Sequence, residues 1–191
     1  FTKKGVDFIY KGNPLIDAID NSPLLKETRE EFLERNKLED RPIIALMAGS
    51  RSGEISSMMP VFMEFADKMR ALPRYKDYQF VVAAAPSRSM SDYSSYIGGR
   101  ESYVKVVFGQ SYAVLRHAEA AVVNSGTASL ETALIGTPQV VAYKSAEINF
   151  LIAKQIIKIK YISLGNLILN RTCFRELLQF YFTPENVLEE V

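Results

Sequence analysis

Seven short apolar runs recur along this sequence, and segments with helical periodicity lie between most of them. The runs do not alternate strictly between apolar and polar positions, which is typical of strands that are covered on both faces. Strands that alternate with helices favour a parallel sheet with right-handed crossovers. We therefore predict an α/β fold, a Rossmann-like doubly wound parallel sheet. The runs are Val6–Tyr10, Ile43–Met47, Gln79–Ala84, Val104–Phe108, Ala120–Val123, Gln139–Tyr143 and Tyr161–Leu164.

Composition excludes several classes of protein. The 191 residues suffice for one domain with a proper core. A net charge of +1 gives no basis for bulk nucleic-acid binding. Cys173 is the only cysteine, which excludes an internal disulfide and fits a reducing compartment. No apolar run is long enough to span a bilayer, and no signal peptide is visible. The sequence lacks an initiator Met, so we expect a piece of a longer protein.

Two segments have clear helical character. Leu24–Arg41 mixes acidic and basic residues at a spacing typical of an amphipathic helix with a solvated face. Glu147–Lys160 is apolar almost all round, and its lysines cluster near the C-terminal end, where the helix dipole favours cations. We interpret it as a crossover helix buried against the sheet. Contact with a partner subunit or an anionic membrane surface is the alternative.

The first candidate for chemistry is the segment Ile43–Glu54, where a buried strand runs into Gly49-Ser50-Arg51 and a helix begins near Gly53 or Glu54. It has neither the lysine of a phosphate-loop NTPase nor the spacing of a dinucleotide site. Glycine lets the backbone approach a ligand, and arginine grips a phosphate through two N–H groups. A merely structural turn with an exposed arginine is the alternative interpretation.

The second candidate is Asn124-Ser125-Gly126-Thr127, which joins a buried strand to a short helix that carries Glu131. A turn of small residues leaves the first backbone N–H groups of the helix open to an anion. The Glu131 carboxylate lies too far along the helix to be only a cap and can accept hydrogen bonds from sugar hydroxyls. Ser125 or Thr127 acting as an ordinary N-cap is the alternative. Both turns follow strands of one sheet, so we expect them to face one crevice.

Other residues suggest no further chemistry. His117, the only histidine, is interpreted as a surface or packing residue, and no catalytic triad can be built around it. Cys173 is expected to pack. No cluster of His, Cys and carboxylates has the spacing of a metal site.

The order of motifs along the chain resembles a known family, the lipid-A-disaccharide synthases. The resemblance covers nearly the whole chain, and its last three blocks are the most specific. The chain is similar to the carboxyl-terminal half of these two-domain GT-B glycosyltransferases. The matching blocks are YKGNPLID (Tyr10–Asp17), IALMAGSRSGEI (Ile43–Ile55), AVVNSGTASLETAL (Ala121–Leu134), TPQVVAYK (Thr137–Lys144), IAKQIIKIKYISLGNLI (Ile152–Ile168) and RELLQ (Arg175–Gln179).

The resemblance implies an activity. Enzymes of this family transfer 2,3-diacylglucosamine from its UDP form to 2,3-diacylglucosamine 1-phosphate, which gives lipid A disaccharide 1-phosphate and UDP. The range 1–191 is then one UDP-sugar-binding domain, and the acceptor domain with the general base is absent. We therefore expect the chain alone to be inactive, and we assign no general base to it.

The resemblance also implies which residues hold UDP-sugar. Arg51 would stabilise the leaving diphosphate, and Glu131 would bind the ribose or the donor sugar. The expected set is Gly49, Ser50, Arg51, Glu54, Ser125, Gly126, Thr127, Glu131, Asn166 and Gln179. Neither a metal nor another cofactor is implied. The chain departs from the family pattern at Ala48 and Gly165, where proline is usual, at Arg175, where proline often precedes Glu-Leu, and at Asn124, which is usually a smaller residue.

Partners and location follow from the same resemblance. We expect UDP-2,3-diacylglucosamine and a lipid acceptor as substrates, no nucleic acid, and a peripheral position on the cytoplasmic face of the inner membrane of a Gram-negative bacterium. A homodimer of the full-length enzyme is left open. Two alternatives remain at this point: another two-domain UDP-sugar enzyme, such as a UDP-N-acetylglucosamine epimerase or a peptidoglycan glycosyltransferase, and a non-enzymatic nucleotide-binding or interaction module.

Overall fold

A six-stranded, all-parallel sheet forms the centre of the structure. The computed structural model describes residues 12–144 and 160–191. The strand order is β3-β2-β1-β4-β5-β6, so the chain builds outward from β1 and then returns to place β4 on the other side of β1. The strands are β1 (Ile43–Met47), β2 (Gln79–Ala84), β3 (Val104–Phe108), β4 (Ala120–Asn124), β5 (Gln139–Tyr143) and β6 (Glu176–Leu178). The predicted doubly wound α/β fold is confirmed.

Helices connect the strands, and several begin at residues that satisfy their open N–H groups. Thr28 and Glu31 form a reciprocal capping box, and the Asn13 and Thr183 side chains cap two further helices. No helix in the described ranges has the length and apolarity needed to cross a bilayer. The helices are α1 (Pro14–Asp20), α2 (Arg29–Asn36), α3 (Ser52–Ala71), α4 (Ser94–Ile97), α5 (Ser111–Arg116), α6 (Thr127–Ile135), α7 (Leu164–Leu169) and α8 (Pro184–Glu190).

The sheet is buried on both faces. Ile44 and Leu46 of β1 contribute to a core shared with α3, α4 and α8. Ile43, Ala45 and Met47 point the opposite way, into a core shared with α2, α5 and α6. Successive side chains of a strand alternate between faces, so two apolar cores require apolar residues at every position. This explains why the strands lack an apolar/polar alternation in sequence.

Most predicted strands match the structure, and one does not. Four of them coincide with the observed bounds, and β4 extends one residue further, to Asn124. The strand predicted for Tyr161–Leu164 is wrong: Ile162 and Ser163 instead bond to the Glu176 carboxylate, and Leu164 begins α7. The sixth strand is Glu176–Leu178. Val6–Tyr10 and, apart from Lys160, Glu147–Lys160 lie outside the described residues.

The helix predicted for Leu24–Arg41 is shorter in the structure. It begins after Thr28, because the capping box of that residue ends the preceding turn. It ends at Asn36, because Lys37 adopts the left-handed conformation with φ 52°. The amphipathic character is correct: Phe32 and Leu33 are buried, whereas Glu30, Glu31, Glu34 and Arg35 are exposed.

A charged cluster lies at the N-terminal ends of the strands and connects α3 to β3. Arg100 donates from Nε and Nη2 to the Asp67 carboxylate, with a shortest distance of 2.6 Å. Tyr103, just before β3, donates its hydroxyl to Asp67 Oδ1 at 2.6 Å. Hydrogen bonding from Arg100 lowers the pKa of Asp67 below its usual 3.8; burial opposes this, and the Tyr103 hydrogen bond adds to the lowering. The cluster thus ties α3 to the start of β3.

We expect Asp67→Asn to lower the free energy of unfolding by about 1 kcal/mol at neutral pH, since the carboxylate is only partly buried. The folded-state pKa is depressed, so the ionised group stabilises the fold above the usual value of 3.8, and this contribution disappears as pH falls through the folded-state pKa. Urea unfolding between about pH 7 and about pH 2.5 should therefore show the difference between variant and parent shrinking with acidity.

The exposed Asp77 provides the matched control for this measurement. Asp77→Asn should follow the parent at every pH. If the free energy of unfolding of Asp67→Asn stays below that of the parent by the same amount at every pH, the role given to the ionised carboxylate is contradicted.

Candidate active site

The turn after β1 depends on Gly49. This residue has φ +97°, a conformation that side-chain-bearing residues rarely adopt. A Cβ placed there would also collide with the Glu54 carboxylate and would lie 2.7 Å from Asn124 Nδ2. Glycine therefore lets the β1–α3 turn pass directly over the end of β4.

Glu54 holds this turn from the inside. Its Oε2 accepts hydrogen bonds from the Ser50 and Arg51 backbone N–H groups at 2.9 and 3.0 Å, and its Oε1 accepts from Arg51 Nη1 at 2.8 Å. Burial raises the pKa of Glu54, but these hydrogen bonds outweigh it and the pKa lies below the usual 4.5. An ionised carboxylate of the chain itself thus occupies two backbone N–H groups of the turn that was the first candidate for chemistry. The binding of UDP-sugar by Glu54 stays a prediction, and its contacts here are with the turn.

Arg88 also stabilises this turn, through hydrogen bonds to Ser50 and Ser52. This residue was not identified from the sequence. Its Nε donates to the Ser50 carbonyl at 2.7 Å, its Nη1 donates to Ser52 Oγ at 2.9 Å, and Asp92 lies 3.7 Å away as an ion-pair partner. Arg88 follows the carboxyl end of β2, the neighbour of β1. An arginine four residues after a buried strand was the available signal, because the ends of adjacent parallel strands share one edge.

The turn after β4 leaves the start of α6 without a side-chain cap. Gly126 is the N-cap residue, and among the described residues no side chain caps the backbone N–H groups of the first turn. The side chains of Ser129 and Gln139 bond only to carbonyl groups there. Ser125 instead donates its N–H to the Ala142 carbonyl at 2.7 Å and its Oγ to the Ile162 carbonyl at 3.4 Å. Gly126 and Thr127 are exposed. Neither Ser125 nor Thr127 is therefore an ordinary N-cap, and the first N–H groups of α6 form a site suited to an anion.

The two turns meet at the topological switch point of the sheet. β1 and β4 are direct neighbours, with Met47 opposite Val123. The helix after β1 packs on one face and the helix after β4 on the other. In open parallel sheets the crevice at such a point is where ligands bind. The strand order places the two turns side by side, and a Cβ on Gly49 would lie 2.7 Å from Asn124 Nδ2. That both turns face one ligand crevice stays a prediction.

Glu131 lies half-buried on α6, behind the uncapped turn. Its Oε1 accepts a hydrogen bond of 2.7 Å from the hydroxyl of Tyr112 on α5. Burial and this bond raise the pKa of Tyr112 to about 12, so the phenol stays protonated and acts as a donor at neutral pH. Arg51, by contrast, extends into solvent, with 82% of its side chain exposed.

The late motifs form a polar cluster beside β6. Asn166 is fully buried: its amide donates to the Phe174 carbonyl and to Glu176 Oε1 at 2.9 Å each, and its carbonyl accepts from Cys173 N at 2.7 Å. Glu176 also accepts from Ser163 Oγ at 2.5 Å. Burial raises the pKa of Glu176, but these donors outweigh it and hold the pKa below 4.5. Asn166 thus orients this cluster, and its predicted contact with UDP-sugar stays a prediction.

The remaining residues considered in the sequence are Gln179, His117 and Cys173. Gln179 follows β6 at the carboxyl edge, is buried, and has φ 51°. His117 stacks on Phe32 with ring centroids 5.0 Å apart, so its interpretation as a packing residue is confirmed. Cys173 is exposed, which makes the expectation that it packs wrong. In the described ranges no three His, Cys or carboxylate side chains come together as a metal site.

Comparison with known proteins decides the family. The sequence profile of the family described as lipid-A-disaccharide synthetase matches residues 1–191. A lipid-A-disaccharide synthase of Pseudomonas syringae pv. syringae (strain B728a) is 34% identical over 185 residues, which cover 97% of this chain and 47% of that protein. The chain belongs to the lipid-A-disaccharide synthase family. It spans about half the length of the curated relatives it matches.

Two solved structures share the fold with this member of the lipid-A-disaccharide synthase family. ADP-heptose lps heptosyltransferase II of E. coli matches with a TM-score of 0.58 and 14% identity, over 95% of this chain and 51% of that one. The UDP-GlcNAc 2-epimerase of Methanocaldococcus jannaschii, in complex with UDP-GlcNAc and UDP, matches with a TM-score of 0.60 and 10% identity, over 99% and 49%. At these identities the likeness shows the fold alone.

Three of the four departures from the lipid-A-disaccharide synthase pattern have local explanations. Ala48 is buried at the end of β1, and the turn after it is held by Glu54 and Arg88 from two sides. Asn124 is buried beneath Gly49. A Cβ on Gly165 would lie 2.5 Å from the ring of Phe174, so the missing side chain makes room for this phenyl group.

Gly49→Ala should destabilise the chain by at least about 1 kcal/mol, because the left-handed conformation is strained for alanine. It should also displace Glu54 and weaken any ligand bound at the turn. Chemical denaturation measures the first effect and calorimetry with UDP the second.

Gly53→Ala is the matched control, since a Cβ at Gly53 meets no atom within 4 Å and the residue lies in the first turn of α3. This variant should be neutral or slightly stabilising. Equal behaviour of the two variants would refute the close fit assigned to Gly49.

Proposed function

We propose that this chain supplies the UDP-donor site of a glycosyltransferase in lipid A biosynthesis. The observation that carries the proposal is the pairing, at the switch point of the sheet, of an uncapped helix N-terminus with the exposed Arg51 guanidinium. Both features favour an anion, and together they suit the two phosphates of a nucleoside diphosphate. Glu131 lies on the same helix, where its carboxylate can accept hydrogen bonds from sugar hydroxyls.

The donor is proposed to be UDP-2,3-diacylglucosamine and the acceptor 2,3-diacylglucosamine 1-phosphate. The membership of the chain in the lipid-A-disaccharide synthase family supports these substrates. An acceptor hydroxyl attacks C1 of the donor sugar, the bond between C1 and the diphosphate oxygen breaks, and UDP leaves. The hydroxyl proton passes to a base that we expect in the half of the enzyme this chain does not cover. The products are lipid A disaccharide 1-phosphate and UDP.

The contribution of this chain is to stabilise the leaving group. Negative charge grows on the diphosphate as the glycosidic bond breaks. The N–H groups of α6 and the Arg51 guanidinium would lie where this charge develops, and preorganised donors are usually the largest catalytic contribution. Glu54 and Arg88 fix the turn from which Arg51 extends, so the donors need little rearrangement.

The alternatives have less support. Likeness to an epimerase rests on the fold alone, whereas the family match covers residues 1–191. A non-enzymatic module is not favoured by membership in a family of named synthases. The acceptor domain, the peripheral position on the inner membrane and a homodimer of the full-length enzyme remain predictions.

We expect the 191-residue chain to bind UDP in the micromolar to millimolar range and to transfer no sugar alone. Arg51→Ala and Glu131→Ala should each weaken UDP binding by about 1–3 kcal/mol, or about 5–150-fold, as expected for a lost charged hydrogen bond. Isothermal titration calorimetry measures both.

The control is Arg74→Ala, which removes an exposed arginine that stacks on Tyr75 in the turn after the C-terminal end of α3. It should bind UDP like the parent. If the folded parent chain shows no binding of UDP, the proposal is refuted. If both site variants bind UDP with the affinity of the parent, the UDP site lies elsewhere.

A further inference from the structure

The Glu131 carboxylate has a single donor among the residues that the structure describes. The hydroxyl of Tyr112 bonds to Oε1 at 2.7 Å, and Oε2 has no partner in these ranges. Tyr112 is the second residue of α5, which begins three residues after the carboxyl end of β3. The bond therefore joins the start of α5 to the middle of α6, two helices that pack on the same face of the sheet.

This arrangement selects one orientation of the carboxylate. Without the phenol, the glutamate side chain is free to sample several rotamers, and fixing it on binding would cost conformational entropy. A hydroxyl bonded to one oxygen removes part of that cost beforehand. The second oxygen remains an acceptor, and an ionised carboxylate recognises only donors, such as sugar hydroxyls.

Resting on the proposed function, we propose that Tyr112 is a positioning residue that orients Glu131 toward the ribose hydroxyls of UDP. The ribose is favoured over the donor sugar for a chemical reason. In the proposed donor, positions 2 and 3 of the glucosamine are acylated, so the vicinal diol of the substrate belongs to the ribose. A carboxylate that is held through one oxygen suits such a diol. Tyr112 thereby sets the preference for a ribonucleotide.

The chain contains a chemically matched pair elsewhere. Tyr103 donates its hydroxyl to Asp67 at 2.6 Å, at the opposite, amino edge of the sheet. Both phenols are partly buried and both bond to a carboxylate. Replacing either tyrosine by phenylalanine removes one hydrogen bond of the same type. Only the pair of Tyr112 lies near the candidate site.

The experiment compares Tyr112→Phe with Tyr103→Phe by titrating each with UDP and with 2′,3′-dideoxyuridine diphosphate. Tyr112→Phe should weaken UDP binding about threefold to tenfold, the size of one hydrogen bond, and leave the dideoxy ligand unaffected. Tyr103→Phe should bind both ligands like the parent. Thermal unfolding of both variants confirms that they are folded, since each loses a bond of the same kind.

A double variant distinguishes positioning from direct contact. If Tyr112 acts through Glu131, adding Tyr112→Phe to Glu131→Ala should change UDP affinity no further. Additive losses, an equal loss for both ligands, or parental affinity of Tyr112→Phe would each overturn the inference. A parent that binds UDP and its dideoxy form equally would overturn it while leaving the UDP site intact. A parent that binds neither would instead refute the proposed function.

Discussion

The pairing of β1 with β4 is the constraint on which the rest of the structure depends. The chain leaves β1, builds two strands on one side, and returns to place β4 on the other side. The parallel ladder at this junction, from Ile44 opposite Ala120 to Met47 opposite Val123, fixes the strand ends at one level. Because crossovers are right-handed, the helices after the two strands must pack on opposite faces. Their N-termini diverge, and the crevice between them follows from topology.

The two turns at this junction differ in whether their backbone N–H groups are already hydrogen-bonded. The β1–α3 turn is closed by its own charges, since the Glu54 carboxylate occupies its N–H groups and Arg88 bonds to its carbonyl side. The β4–α6 turn is open, because glycine at the N-cap brings no side chain to the helix terminus. In the proposed site, an anion would bind to the uncapped backbone donors of α6, and the β1 side would contribute the Arg51 side chain. Rigidity on one side and open donors on the other are what preorganised binding requires.

The sequence predicted those strands and helices that a local apolar pattern determines. It did not predict contacts between residues that are far apart in the chain. Buried strands such as Gln79–Ala84 were predicted because two cores demand apolar residues throughout. The last strand, Glu176–Leu178, was missed because three residues that begin with a charged side chain carry no periodicity. The contacts of Arg88 with Ser50 and of Tyr112 with Glu131 span 38 and 19 residues, and no local pattern predicts such pairs.

The segment before β6 shows how a departure from a family pattern can be compensated. Ser163, Asn166 and the backbone N–H of Ile162 all donate to Glu176, so this carboxylate replaces the strand hydrogen bonds that the apolar run at Tyr161 had suggested. Removing a carboxylate from water costs free energy unless hydrogen bonds replace the lost hydration, and the half-buried Glu176 accepts four of them. Gly165 then becomes intelligible. The loop must close tightly enough for Asn166 to reach Glu176, and the ring of Phe174 occupies the space that a side chain at position 165 would need.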